Sequence, residues 1–147
     1  MTTIDRPLST NEQLVLDFVH AAYGQAMNVD AMTALLHEDF EWQLNVPLSP
    51  VVHGREAAKA ALAQQSGMSS GMVDGSEIRS VVSTGDTVVV ERVDVNMIGE
   101  TPVKFFVAAI FEVRDGLISC WREYWDTAHI AKQLGIDPLL MFDQLES

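Results

Sequence analysis

Hydrophobic residues recur every three to four positions in the first half of the chain and every second position in the second half. The first spacing is typical of a helix with one buried face, and the second is typical of a strand with one buried face. The helical spacing predicts helices from about 10 to 26 and from 55 to about 65. A shorter helix between them is capped by Asn28 or Asp30.

Alternation of apolar and polar residues predicts five strands. The first is short, covers 40–46 and is ended by Pro47 and Pro50. The other four strands all lie in the second half of the chain, over approximately 77–83, 87–95, 103–113 and 117–126.

The remaining segments connect or flank these elements. Residues 1–8 are predicted to form a loose leader, and residues 66–75, which are rich in Gly, Ser and Met, a flexible loop. Thr127 is the predicted cap of a last helix over 128–134. The segment 136–147 is too apolar to be free in water, so we expect it to pack over a pocket or a partner subunit.

Helices followed by antiparallel strands favour an α+β fold, and the length favours a single domain over 1–147. We expect a curved, mixed β-sheet wrapped by three to four helices around an apolar, cone-shaped pocket. Pockets of this kind collect small apolar ligands.

Composition narrows the function classes. The net charge is −12, and the few positive charges are scattered, which argues against nucleic acid or an anionic membrane as partner. Cys120 is the only cysteine, so no intramolecular disulfide can form, which fits a reducing compartment. We see no signal-peptide hydrophobic region and no apolar run near the ~18 residues of a membrane span. We therefore expect a soluble, cytoplasmic protein.

Charged residues inside the predicted strands are the candidates for chemistry. Arg92 and Asp94 share one strand face with Val88 and Val90, because alternate side chains point the same way. An acid in an antiparallel strand is usually a solvated, outward residue, but an arginine beside it on an otherwise apolar face calls for an explanation. The other acids in strand patterns are Glu41, Glu91, Glu112, Glu123 and Asp126.

Two carboxyl groups beside one guanidinium have a chemical use. Burial raises a carboxyl pKa and a nearby cation lowers it, so the two groups can hold different protonation states at neutral pH. One can then act as a general acid and the other as a general base. The structural alternative is that Arg92 merely neutralises a buried acid.

Three motifs carry a family resemblance: Glu-Arg-Val-Asp-Val at 91–95, Phe-Glu-Val followed by Asp-Gly and Ile within 111–118, and Trp-Arg-Glu-Tyr-Trp-Asp at 121–126. Together with Asn-Val-Pro-Leu-Ser-Pro at 45–50 and Gly-Arg at 54–55, they resemble the limonene-1,2-epoxide hydrolase family. The resemblance covers most of the chain. It implies the cone-shaped NTF2-like (cystatin-like) α+β fold, shared with ketosteroid isomerases and polyketide cyclases of the SnoaL-like group.

The resemblance also implies a reaction, the one-step addition of water to a hydrophobic epoxide to give a vicinal diol. Asp126 would be the general base, Asp94 the general acid and Arg92 the bridge between them, while Asn45 would position the water. No covalent intermediate, cofactor or metal ion is expected. Fold analogy predicts a homodimer, paired through the open face of the sheet.

One position departs from the family pattern. The family has a tyrosine two residues before the water-binding asparagine, and here that position is Gln43. A glutamine can donate and accept hydrogen bonds, so it could still orient water. It lacks the acidity of a phenol, and we expect it to lie on the same strand face as Asn45.

Other functions remain open on the sequence alone. An epoxide-opening or polyketide-type cyclase could use the same acid–base pair, with a substrate hydroxyl in place of water. A non-catalytic ligand-binding module would not need Arg92, Asp94 and Asp126. A ketosteroid-isomerase-like proton shuttle fits an arginine between two acids poorly. The four histidines show no metal-ligand spacing.

Overall fold

The computed structural model describes residues 4–24, 26–68 and 72–140, and the predicted α+β fold is confirmed. Within these ranges the elements, in chain order, are α1 (Thr10–Tyr23), α2 (Val29–Thr33), β1 (Leu36–Gln43), β2 (Val51–His53), α3 (Arg55–Met68), β3 (Met72–Thr84), β4 (Thr87–Ile98), β5 (Thr101–Arg114), β6 (Leu117–Tyr124), α4 (Thr127–Leu134) and a 3-10 helix (Pro138–Leu140).

Helix α1 begins where the sequence predicts and ends at Tyr23. The Ser9 hydroxyl accepts from the Glu12 N–H while the Glu12 carboxylate accepts from the Ser9 N–H, which closes a capping box. The apolar positions of α1 form a buried stripe against the sheet, made of Val15, Leu16, Phe18, Val19 and Ala22. Tyr23 follows Val19 by four residues and continues this stripe.

The six strands form one sheet in the order β2-β1-β6-β5-β4-β3. Strands β1 and β6 pair in parallel, and the other neighbours pair antiparallel, so the sheet is mixed as expected. Strands β4, β5 and β6 lie side by side. This order places Arg92 on β4 two strands away from Glu123, the acid of β6.

The core lies between helices α1 and α3 and one face of the sheet, which we call the inner face. A stack of aromatic rings fills its centre, with Trp42 and Phe111 both parallel to Trp121 and Phe18 meeting Trp121 edge-on. The opposite, outer face carries polar and partly exposed side chains, among them Gln43 and Arg122.

Several strand boundaries differ from prediction, most clearly those of β1 and β3 and the end of β6, which stops at Tyr124 rather than 126. Strand β1 covers 36–43 rather than 40–46, because the chain leaves the sheet after Gln43 in a turn closed by the Ser49 N–H on the Asn45 carbonyl. Strand β3 begins at Met72, inside the predicted flexible loop, because the long β4 offers pairing partners as far as Asn96. The three-residue strand β2 was not predicted.

The flanking segments also differ from prediction. Residues 4–8 are not a loose leader, since Arg6 is anchored to the Glu12 carboxylate and to the Val81 carbonyl. At the other end, Ile136, Leu139 and Leu140 are exposed, so this part of the apolar tail does not pack over a pocket. Residues 141–147 lie outside the described residues.

None of the helices in the described part of the chain is long and apolar enough to cross a membrane.

Candidate active site

Strands β4 and β6 bring one arginine and two acids together on the inner face. Across the sheet, Val90 of β4 pairs with Ala109 of β5, and Ala109 pairs with Glu123 of β6. Arg92 itself pairs with Val107, one row further along β5, and the side chains of Arg92 and Glu123 together span β5, a distance of about 10 Å for two strand spacings. Arg92, Asp94 and Glu123 are only 1%, 2% and 2% exposed, and we call them the inner-face cluster.

Arg92 bridges the two carboxylates. Its Nε donates to both oxygens of Asp94, at 3.1 and 3.0 Å, and its Nη2 forms an ion pair with Glu123. The Ser76 hydroxyl of β3 donates to the same Asp94 carboxylate. Burial alone would lower the pKa of Arg92, but the Glu123 and Asp94 carboxylates outweigh it and raise the pKa, so the guanidinium stays charged.

Glu123 is a buried acid whose pKa is raised. Burial raises its pKa, Arg92 opposes this rise, and the negative charge of Asp94 adds to it. Its Oε2 accepts a hydrogen bond from the Trp121 indole N–H at 3.2 Å. A carboxylate with a raised pKa is a stronger base than an ordinary glutamate, which suits it to accept a proton.

A tyrosine completes the cluster. Tyr23, the last residue of α1, donates its hydroxyl to Glu123 Oε1 at 3.3 Å and accepts from Arg92 Nη2 at 2.7 Å. Its ring lies over the Arg92 guanidinium, with the Cζ atom 4.1 Å from the ring centroid. The sequence reasoning missed both Tyr23 and the central place of Glu123. The helical stripe of α1 places Tyr23 on a buried face, and alternation places Glu123 on the same face as Trp121, but neither pattern identifies the partners of these residues on other strands.

Asp126 does not occupy the position that the sequence predicted. Its carboxylate accepts from the Ala128 and His129 N–H groups at 2.9 and 3.2 Å, so it is the N-cap of α4, a role predicted for Thr127. Strand β6 ends at Tyr124, so strand alternation does not extend to Asp126, which is exposed. Within the described residues, the acids that Arg92 bridges are Asp94 and Glu123 rather than Asp94 and Asp126.

Asn45 and Gln43 lie apart rather than on one face. Asn45 is buried beside β6, with its Nδ2 donating to the Trp125 carbonyl and the next residue, Val46, donating its N–H to the Glu123 carbonyl. Gln43 faces the outer side and donates to the Ser49 carbonyl. The expectation of a shared face is wrong because β1 ends at Gln43.

Two buried N–H groups lack a hydrogen-bond partner among the described residues. They are the Nη1 of Arg92 and the Nε1 of Trp42. An unpaired buried donor is costly unless a ligand or water completes it. The Arg92 Nη1 is therefore available to an oxygen atom of a bound molecule, on the same guanidinium that bonds both carboxylates.

The outer face holds a groove of about 360 Å³, lined by residues that include Gln43, Cys120 and Arg122. Arg122 forms an ion pair with Glu112 there, and burial raises the pKa of the Cys120 thiol, which makes that thiol a poor nucleophile. In the ranges described, no group of three or more His, Cys, Asp and Glu side chains could hold a metal ion.

The fold and the inner-face cluster define a class, an NTF2-like α+β protein with two buried acids joined by an arginine. The family model described as the limonene-1,2-epoxide hydrolase catalytic domain matches residues 9–135. The chain therefore belongs to the limonene-1,2-epoxide hydrolase family.

Individual relatives agree with this assignment. The chain is 32% identical over 110 residues to epoxide hydrolase EphG of Mycobacterium tuberculosis (strain ATCC 25618 / H37Rv), covering 75% of this chain and 70% of the relative. A solved M. tuberculosis LEH-like epoxide hydrolase superposes with a TM-score of 0.74 at 29% identity, covering 94% of this chain and 97% of that one. An NTF2-like protein from Burkholderia thailandensis E264 has a TM-score of 0.70 at 20% identity, covering 86% and 98%, and supports the fold alone.

Proposed function

We propose that this protein is an epoxide hydrolase that adds water in one step to a hydrophobic epoxide and releases a vicinal diol. The observation that carries the proposal is the buried Arg92 bonded to two carboxylates, Asp94 and Glu123. A buried ion pair needs one acid, whereas concerted acid–base chemistry needs two. Family membership and the likeness to the M. tuberculosis epoxide hydrolase support the same reaction.

In the proposed reaction, Glu123 takes a proton from a water molecule while the water oxygen forms a bond to one epoxide carbon. The bond between that carbon and the ring oxygen breaks, and Asp94 gives its proton to the ring oxygen. Proton transfer from Glu123 to Asp94 through water then restores the starting state. Since every proton is returned, the step needs no cofactor and forms no covalent intermediate.

The neighbours of each acid support these roles. Glu123 replaces Asp126 as the proposed base, because its carboxylate accepts from Arg92 and Tyr23 and because buried Asn45 lies beside its strand, where it can hold the water. Asp94 keeps the role of general acid. With one proton on the pair of carboxylates, the cluster with Arg92 is neutral, which is the least costly charge state in a buried site. The unpaired Nη1 of Arg92 can donate to the oxygen that develops negative charge.

Turnover of a panel of hydrophobic epoxides in oxygen-18 water tests the reaction. We expect the diol to carry the label from the first turnover onward, because the water oxygen attacks carbon directly. A diol labelled only in later turnovers would contradict direct attack and indicate an enzyme-bound ester. Ring-opened products without added water would instead favour the cyclase, in which a substrate hydroxyl attacks.

Azide separates the two acid roles, because this anion opens epoxides without a general base. We expect azide to restore ring opening, as an azido alcohol, in Glu123→Gln and to give no rescue in Asp94→Asn. Rescue of Asp94→Asn alone would reverse the assigned roles.

We also propose, from fold analogy, that the protein is a cytoplasmic homodimer paired through the outer face of the sheet. Gel filtration is expected to give the mass of two chains. Elution at the mass of one chain would contradict the dimer.

A further inference from the structure

The Tyr23 hydroxyl makes two hydrogen bonds inside the cluster, and both are long-range in sequence. It reaches Glu123, 100 residues away, and Arg92, 69 residues away. A phenol has one proton to donate. Since the guanidinium can only donate, the proton of Tyr23 is directed at the Glu123 carboxylate.

The two oxygens of Glu123 are held differently. Oε2 accepts from Arg92 and from the Trp121 indole, whereas Oε1 accepts from the Tyr23 hydroxyl. Oε1 is therefore the oxygen with a lone pair to spare for water, and the tyrosine fixes its direction.

We propose that Tyr23 is a positioning residue of this site: its hydroxyl aligns Glu123 Oε1 toward the attacking water and stabilises the ionised carboxylate that must accept the proton. This inference rests on the proposed function for its role in turnover. Burial raises the pKa of Tyr23 well above its ordinary value, so the phenol keeps its proton and acts as a donor throughout the working range of pH.

Among the described residues, only a small set of groups faces Glu123 or reaches it through a neighbour. Arg92 and Asp94 come from β4, Tyr23 from α1 and the Trp121 indole from its own strand, and Ser76 of β3 reaches the site through Asp94. Arg92 and Trp121 also donate to the carboxylate. Removal of the tyrosine hydroxyl therefore makes the ionised Glu123 carboxylate less stable but still leaves it two hydrogen-bond donors.

Tyr23→Phe keeps the ring over Arg92 and removes the hydroxyl alone. Because a donated hydrogen bond favours the ionised carboxylate, its loss is expected to move the acid limb of the kcat/KM profile up by about one pH unit. Below that limb kcat/KM falls about tenfold, with KM little changed. Tyr124→Phe removes the hydroxyl of the exposed second tyrosine and is expected to leave the profile unchanged. An acid limb that stays in place in Tyr23→Phe would overturn the proposal.

A second measurement does not depend on turnover. The side-chain carboxyl carbon of Glu123 is titrated by carbon-13 NMR, with Glu123→Gln to assign the resonance. The titration midpoint is expected to be about one unit higher in Tyr23→Phe than in the wild type, and equal midpoints would overturn the role of Tyr23. If the wild type opens no epoxide but the two midpoints still differ in this way, the proposed function is refuted and the role of Tyr23 in holding Glu123 stands.

The tyrosine can also be observed directly if Tyr23→Phe does not fold. The ring Cζ of Tyr23 is then titrated in the wild type and in Glu123→Gln, with Tyr124→Phe to assign it. Tyr23 is expected to ionise at lower pH once its anionic acceptor is replaced, and an unchanged midpoint would overturn the proposal.

Discussion

Arg122 and Glu123 are neighbours in β6 and lie on opposite faces of the sheet. Each belongs to an arginine–glutamate ion pair on its own face. On the outer face, Arg122 pairs with Glu112, and the two side chains are 31% and 47% exposed. On the inner face, Arg92 pairs with Glu123, and the two side chains are 1% and 3% exposed. The groups are the same, but the hydrogen bond from Arg122 lowers the pKa of Glu112, whereas burial raises that of Glu123.

A third pair shows that burial alone does not decide the direction. The Glu12 side chain is only 4% exposed, yet its pKa falls to about 2, because hydrogen bonds from Arg6, Ser9 and Ser83 outweigh desolvation. Glu12 faces no second carboxylate among its hydrogen-bond partners in the described residues, whereas Glu123 faces Asp94. We infer that the second acid, added to burial, is what separates the proposed reactive cluster from the structural pairs.

The largest expected difference between the two faces concerns their arginines. Arg92→Leu is expected to abolish turnover and lower the free energy of unfolding by about 3–5 kcal/mol, because it leaves two buried carboxylates without a cation. Arg122→Leu is expected to cost about 1 kcal/mol or less, because its pair is solvated. Urea unfolding measures both. Equal losses for the two variants would show that burial does not set the strength of the two ion pairs.

Glu12→Gln should have an intermediate effect on stability. It is expected to lower the free energy of unfolding by about 2 kcal/mol at neutral pH, through loss of charged hydrogen bonds and of part of the cap. The folded pKa of about 2 lies below the ordinary value of 4.5, so this stabilisation is present above 4.5 and is lost as the pH falls toward 2. Thermal unfolding across this range is expected to show the two proteins converge. A gap that persists at low pH would mean that the charge of Glu12 is not responsible.

The smallest expected effect is a shift in the titration of Glu123. Asp94→Asn removes the negative charge that helps to raise the Glu123 pKa, so the titration midpoint of Glu123 is expected to fall by about one unit. Carbon-13 NMR of the carboxyl carbon measures the shift. A midpoint that rises in Asp94→Asn would show that the two acids do not repel one another, and would remove the basis for calling them a coupled pair.

Period-two alternation was enough to place Arg92 and Asp94 together on one buried face, and the capping box of α1 could also be predicted from local residues. The choice between Glu123 and Asp126 could not be predicted from such local patterns. Both acids stand in the Trp-Arg-Glu-Tyr-Trp-Asp motif, and the outcome depends on where β6 ends. The strand ends at Tyr124, and Asp126 caps α4, so alternation applies to Glu123 and no longer to Asp126.

Tyr23 was beyond the reach of sequence pattern for a different reason. Its place on the apolar stripe of α1 is visible at helical spacing, but its partners lie on β4 and β6. Only the packing of α1 against the sheet brings these residues together. Gln43 shows the opposite case. It stands only two residues before Asn45, but β1 ends at Gln43, so the two side chains do not share a face.

The assignment of Glu123 rather than Asp126 as the base is tested by comparing Glu123→Gln with Asp126→Asn on one epoxide that the wild type hydrolyses. We predict that Glu123→Gln lowers kcat/KM by about 10²- to 10⁴-fold, the range for loss of a general base. Asp126→Asn should keep kcat/KM within about twofold of the wild type and lose only a fraction of the ~1 kcal/mol of helix-cap stability, because asparagine also caps helices. Full activity in Glu123→Gln, or loss of turnover in a folded Asp126→Asn, would contradict the assignment of Glu123 as the base.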